Sequence, residues 1–151
     1  MKLTDDLTDL LNGKQLAQKQ NIVMILQSIT SEGYPHSAMV SVGEVIALNP
    51  EYLRIALWPQ TQTTLSLAQK RKANLVIIYN NIVNYLELDI SELPSPNNEV
   101  YERTRFEATI KSIRQDIAKY ADITSGITVE MHEPKQVLKR WNIVLHELLN
   151  I

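Results

Sequence analysis

Thr61, Thr63 and Thr64 sit in a polar stretch that runs directly into an apolar helical pattern beginning at Leu65. Hydroxyls at such a junction cap a helix, and the free N–H groups of a first turn attract an anion. Capping and anion binding are equally good readings of Thr63 and Thr64. The run Lys70-Arg71-Lys72 follows. At the end of the same helix those cations oppose its dipole and stay solvated. No aromatic-interleaved basic surface accompanies them, so they do not make a nucleic-acid site. The histidines are His36, His132 and His146, and neither His132-Glu133 nor His146-Glu147 has the second histidine that a metal-binding helix carries four residues on. His36, beside Pro35, reads as exposed, and His146 and Glu147 as a solvated helix face. The glycines are Gly13, Gly33, Gly43 and Gly126, too scattered for a dinucleotide fingerprint or a phosphate-cradling loop. No Gly-x-Ser-x-Gly elbow is present. The chain has no cysteine, which excludes disulfides, thiolate nucleophiles and thiolate metal ligands.

The elements that must position these residues belong to one domain spanning the 151 residues. Hydrophobic residues at 44% and charged residues at 21% are ordinary for a globular chain. A net charge of −2 offers no general attraction to nucleic acid or an anionic membrane. Acidic Asp5 and Asp6 fall where a signal peptide needs its apolar stretch. The longest apolar runs, such as Ile22 to Leu26, are far short of the ~18 residues of a membrane span. The expectation is a soluble, cytoplasmic protein.

Thr4 is placed to cap a short amphipathic helix carrying Leu7, Leu10 and Leu11, stopped at Asn12-Gly13. Ile22 to Ile29 reads as a buried strand, and Ser31-Glu32-Gly33 as a turn into a second strand over His36 to Leu48. Leu53 to Trp58 is a third strand that ends at Pro59. A helix from about Leu65 to Lys72, capped by Thr63 or Thr64, precedes a fourth strand, Leu75 to Tyr79. Asn80-Asn81 turns into a fifth strand, Val83 to Ile90. Arg103 to Ile117 fits either a strand or a helix, and periodicity does not separate them. Ile123 to Met131 reads as a strand with Gly126 at a bulge, and Pro134 opens a helix to Leu149 with Trp141 on its apolar stripe.

The stretch Ile25-Leu26-Gln27-Ser28-Ile29-Thr30-Ser31-Glu32-Gly33-Tyr34-Pro35-His36-Ser37-Ala38-Met39-Val40 resembles the opening hairpin of the pyridoxamine 5'-phosphate oxidase-like family of FMN-binding split barrels. The strand to Trp58, the polar loop to Thr64, the helix through Lys72 and the strand to Tyr79 follow in that family's order, so the resemblance covers roughly Ile22 to Ile90. It implies a β-rich α+β fold: a six-stranded antiparallel split barrel with flanking helices. It also implies a homodimer with FMN at the subunit interface; the net charge and the short apolar runs already disfavour a nucleic-acid or membrane partner. Carried over by position, Ser37, Ala38, Met39 and Val40 run beside the flavin ring, and Trp58 and Pro59 lie where the third strand meets the cofactor. Thr61, Thr63 and Thr64 lie near the phosphate, and Asn84 faces the ring.

The chain departs from the family at the phosphate, where a basic sequence such as Ser-Arg-Lys is usual and Thr63-Thr64-Leu65 stands here. Losing one charge-assisted hydrogen bond costs roughly 1.5–3 kcal/mol, about one to two decades of affinity. Lys70, or an arginine of a second subunit, would have to replace it. No second set of arginines and lysines stands out, which argues against pyridoxamine phosphate as the substrate. The resemblance implies FMN binding and, as one reading, a flavin-dependent oxidoreductase of unspecified substrate. The alternative is a split-barrel binding or interaction protein without turnover, with FMN weakened, lost or replaced by another ligand such as haem.

Overall fold

Thr4 accepts a hydrogen bond from Leu7 N at 3.3 Å, so α1 (Asp5–Leu10) begins where a hydroxyl can satisfy a first-turn donor. A short α2 (Leu16–Lys19), not expected from sequence, follows. The computed structural model describes residues 1–151. Its strands are β1 (Met24–Ile29), β2 (Pro35–Val40), β3 (Val45–Asn49), β4 (Tyr52–Leu57), β5 (Lys72–Tyr79), β6 (Ile82–Leu93) and β7 (Thr104–Asp116). They form one antiparallel sheet in the order β2-β1-β5-β6-β7-β4-β3. The fold is therefore β-rich α+β with flanking helices, but the expected six-stranded barrel is corrected. The sheet has seven strands, and β2 and β3 remain its two edges.

The extra strand comes from the expected second strand, which is broken at Ser41–Glu44. Glu44 accepts from Ser41 N and Ser41 Oγ, both at 2.9 Å, and Gly43 N donates to Ser41 Oγ at 3.2 Å. Side chains take over the backbone's hydrogen bonding there, and the ladder ends. The break is topological as well as local. β2 stays on β1, while β3 crosses to β4 at the far side of the sheet. A Cβ on Gly43 would lie 2.0 Å from the ring of Trp141, so this turn is also where α4 (Pro134–Leu149) is seated.

The ambiguous segment is strand β7, whose Phe106, Ala108 and Ile110 are buried together while it pairs with β4 and β6. The Asn80-Asn81 turn is as expected, with φ of 50° and 65° matching a hairpin turn. Ile123–Met131 is not a strand. It makes a single bridge, Ile22 to Thr128, and its Gly126 lies so close to β5 that a Cβ would sit 2.8 Å from Ile78 Cβ. Its backbone contact is confined to the residues just before β1, where Val23 N donates to Ile127 O at 3.3 Å and Val129 N to Asn21 O at 3.0 Å. The helix α3 runs from Gln62 to Lys70, earlier than expected, with Arg71 as a left-handed C-cap. Only Lys70 of the basic run is helical, and Lys72 starts β5, bonded to Asp89. The core joins Met24, Leu26, Leu53, Ile55, Leu67, Leu75, Ile77, Leu86 and Phe106, each contributing about 1.5–3 kcal/mol by burial. No helix is long and apolar enough to cross a membrane.

Candidate functional site

The N-terminus of α3 is set by three threonines with different tasks. Thr61, not Thr63 or Thr64, is the N-cap: its Oγ1 accepts from Thr64 N at 3.1 Å. Thr61 also donates its hydroxyl proton to Thr64 Oγ1 at 3.1 Å, and Thr64 in turn donates to the Trp58 carbonyl at 2.8 Å. Both protons are thus used inside the protein. Thr63 differs. Its Oγ1 lies 3.0 Å from Nε2 of His36, which reaches across from β2. With the proton on Nε2, His36 donates to Thr63 and leaves the Thr63 hydroxyl proton free to donate onward. Leu65 N is bonded to Thr61 O, so the N–H groups of Gln62 and Thr63 are the unpaired donors of the first turn.

On β2 the residues alternate as a strand requires. His36 and Ala38 are half-buried and Val40 is buried on the face that α3 covers. Ser37 and Met39 are exposed on the other face, Met39 by 66%. As an edge strand paired only with β1, β2 leaves one row of backbone N–H and C=O groups unladdered. Ser28 faces His36 across the β1–β2 ladder, buried, with its Oγ unpartnered. Asn84 is not brought to this place. It is buried in β6, donates to Ile77 O at 3.1 Å and accepts from Gln115 at 2.8 Å. Through the pairings Val40–Met24, Ile77–Asn84 and the β1–β5 register it lies level with Val40, three strands away, or roughly 14 Å at the usual strand spacing.

Trp58 and half-buried Pro59 connect β4 to α3. Trp58 is 56% exposed, and the Arg103 guanidinium carbon lies 3.8 Å from its ring centroid, within the range of a cation–π contact. Two residues on, Arg105 is fully buried. It bonds to Glu99, lies 3.6 Å from Glu147 Oε1 and donates to the carbonyls of Arg103 and Tyr101 at 3.1 and 3.2 Å. Glu147, expected as solvated, is instead part of this buried set, while His146 is exposed. Burial pushes the Glu44 carboxyl up, against its Ser41 hydrogen bonds and the charges of Arg103 and Arg140. The sequence reading missed His36, Arg103, Arg140 and Glu44. The one local sign was Arg103-x-Arg105 just before the alternating apolar residues Phe106, Ala108 and Ile110.

No protein-family model matches the chain. A Bacillus subtilis (strain 168) protein, the uncharacterized protein YclD, is 40% identical over 146 residues, which is 97% of this chain and 95% of that one. Among solved structures, an FMN-binding protein of Syntrophomonas wolfei superposes with a TM-score of 0.53 at 14% identity, over 76% of this chain and 90% of its own. A Lactobacillus delbrueckii protein, provisionally named a pyridoxamine 5'-phosphate oxidase, does so with a TM-score of 0.57 at 15% identity, over 75% and 93%. At such identities the likeness is one of fold. The chain belongs to the family of YclD, and its fold is that of the pyridoxamine 5'-phosphate oxidase-like FMN-binding split barrels.

Proposed function

We propose that the protein binds FMN as a homodimer, with the cofactor at the subunit interface, and acts as a flavin-dependent oxidoreductase. The observation that carries this reading is the His36–Thr63 contact at the N-terminus of α3. It joins an imidazole, the Thr63 hydroxyl and the N–H groups of Gln62 and Thr63 in one place without a lysine or arginine. A phosphate monoester is the ligand that such a donor set suits. The unladdered edge of β2, with Ser37, Ala38, Met39 and Val40, suits the polar edge of a flavin ring, and Trp58 and Pro59 lie at the junction with the phosphate end. Asn84 has no part in this arrangement as we read it. FMN would supply the hydride or electron chemistry, and the chain would bind and orient it.

Dimer formation is supported by the outer face of the sheet. An open groove of about 950 Å³ runs over it, lined by Gln27, Ile29, Lys72, Asn74, Tyr85 and Arg114. Ile29, Tyr34 and Met39, spread along the β1–β2 hairpin, are exposed apolar residues of the kind a partner would cover.

A second reading, a split-barrel binding or interaction protein without turnover in which the FMN site is weakened or lost, is favoured by one observation. The hydroxyl protons of Thr61 and Thr64 are already spent within the chain. The two readings part on affinity. FMN and riboflavin titrated against the purified protein measure what the phosphate contributes. FMN is expected to bind at least tenfold more tightly, as one or more charge-assisted hydrogen bonds require. Thr63→Asp, which sets a carboxylate against the phosphate, is expected to abolish that preference. Equal affinity for the two flavins would remove the phosphate site, and an unchanged preference in Thr63→Asp would move it elsewhere.

A further inference from the structure

Arg103 and Arg105 are neighbours on one strand entrance with opposite circumstances. Arg105 has Glu99 and Glu147 beside it. Arg103 is only 8% exposed, yet no carboxylate lies within 4.0 Å of it, and its one protein hydrogen bond is from Nη1 to the Glu102 carbonyl at 2.8 Å. A guanidinium carries several N–H donors in a planar fork. None of those left over on Arg103 is shut away from the surface, whereas Arg105 Nε is. The cation is held in place by the Trp58 ring at 3.8 Å and by Tyr101 at 5.6 Å.

The side chain of half-buried Arg140, on α4, makes no hydrogen bond or ion pair within the protein. It stands near enough that, after desolvation, its charge is the next cause lowering the Arg103 pKa. Arg140 thus adds positive potential at the Arg103 guanidinium. Glu44 is the opposing charge here, but its carboxylate is turned onto Ser41, and burial works against its ionisation. Glu99 and Glu147 are engaged by Arg105 and by Val100 N.

The geometry points to a binding site for a phosphate or carboxylate group of a small molecule, formed by Arg103 and Arg140 against the ring of Trp58. A planar fork with free donors and a partly desolvated charge is the arrangement that takes such an oxyanion bidentately. The half-exposed Trp58 ring offers an apolar surface for the remainder of the ligand. The site adjoins the α3 N-terminus through Trp58 itself, whose carbonyl accepts from Thr64 at 2.8 Å. It needs no flavin. The oxyanion comes either from a flavin phosphate or from a second, acidic ligand.

The test is a titration of phenyl phosphate and of benzoate into the flavin-free full chain at constant ionic strength, read by tryptophan fluorescence. Saturable quenching is expected for at least one of them. Affinity is expected to fall about tenfold or more in Arg103→Gln and in Arg140→Gln, each having lost one charge-assisted pair, and to hold in Lys135→Gln. Thermal melts followed by circular dichroism verify each fold. Arg140→Gln serves where Arg103→Gln disturbs Trp58. No saturable signal for either compound, or wild-type affinity in both arginine variants, overturns the site. Repeating the titration with FMN present separates the sources. Displacement by FMN assigns the site to the flavin phosphate, and simultaneous binding assigns it to a second ligand. A protein that takes up no FMN leaves the flavin-free titration intact, so the flavin reading and this one fail separately.

Discussion

Replacing Gly43 by alanine would place a methyl group 2.0 Å from Cγ, 2.1 Å from Cδ2 and 2.3 Å from Cδ1 of Trp141. Carbon atoms rest at about 3.5 Å, so the ring must retreat by roughly 1.5 Å. It cannot do so alone, because Trp141 shares its buried face with Val144, Leu145 and Leu148 on the same helix. The helix α4 has to lift from β3 and β4 or the turn at 41–44 has to open, and that turn is fastened by the Ser41–Glu44 hydrogen bonds. Overpacking a core costs about 1–3 kcal/mol. With a whole indole in the way, the upper end is expected, about 3 kcal/mol, which lowers Tm by roughly 6–12 °C in a chain of this size. Thermal unfolding with near-ultraviolet circular dichroism measures it. Because the two residues touch, Gly43→Ala and Trp141→Leu should be strongly non-additive. A Gly43→Ala protein melting within about 2 °C of the parent would refute the close seating of α4 on this turn.

Thr61→Ala should cost about 1 kcal/mol by removing the N-cap of α3, seen as a small fall in the urea midpoint, and an unchanged midpoint would place the cap elsewhere. Arg105→Met should cost about 3–5 kcal/mol by leaving Glu99 and Glu147 without their cation. A loss under about 1 kcal/mol by urea unfolding would show that this buried set is slack. Glu44 gives a pH signature. Its folded pKa is raised, chiefly by burial, so the folded state holds that proton more tightly than the unfolded chain does. Its contribution to stability is present at acid pH and is lost as pH rises through the ordinary glutamate value to the raised one. Glu44→Gln cannot ionise and should show a flatter stability profile as pH rises above the ordinary glutamate value, and parallel profiles would contradict the assignment.

The elements whose causes are local were legible in the sequence. Thr4 and Pro134 mark their helices by themselves, and the Asn80-Asn81 pair can take positive φ without help. Strand β7 was ambiguous because its choice lies with β4 and β6, which flank it on both sides. The break at Ser41–Glu44 was missed although a serine followed by a glutamate three residues on is visible; in an extended context that pair ends a strand rather than starting a helix. Thr61, Thr63 and Thr64 are alike as local caps. What separates them is the Trp58 carbonyl and His36, and the latter arrives from a different strand. Glu44, Trp58, Arg103 and Arg140 come from four segments that only the fold brings together, which is why the sequence showed no second basic set.

Retention of FMN by the chain is the property on which the proposed function rests. A visible absorption spectrum of the purified protein after equilibration with FMN and removal of the free flavin tests it most directly, with mass spectrometry of what heat releases. A retained flavin spectrum at about one FMN per chain is expected, lost in Thr63→Asp, because one phosphate site per chain carries the affinity. A protein that retains no flavin, under conditions where it remains folded, would contradict it.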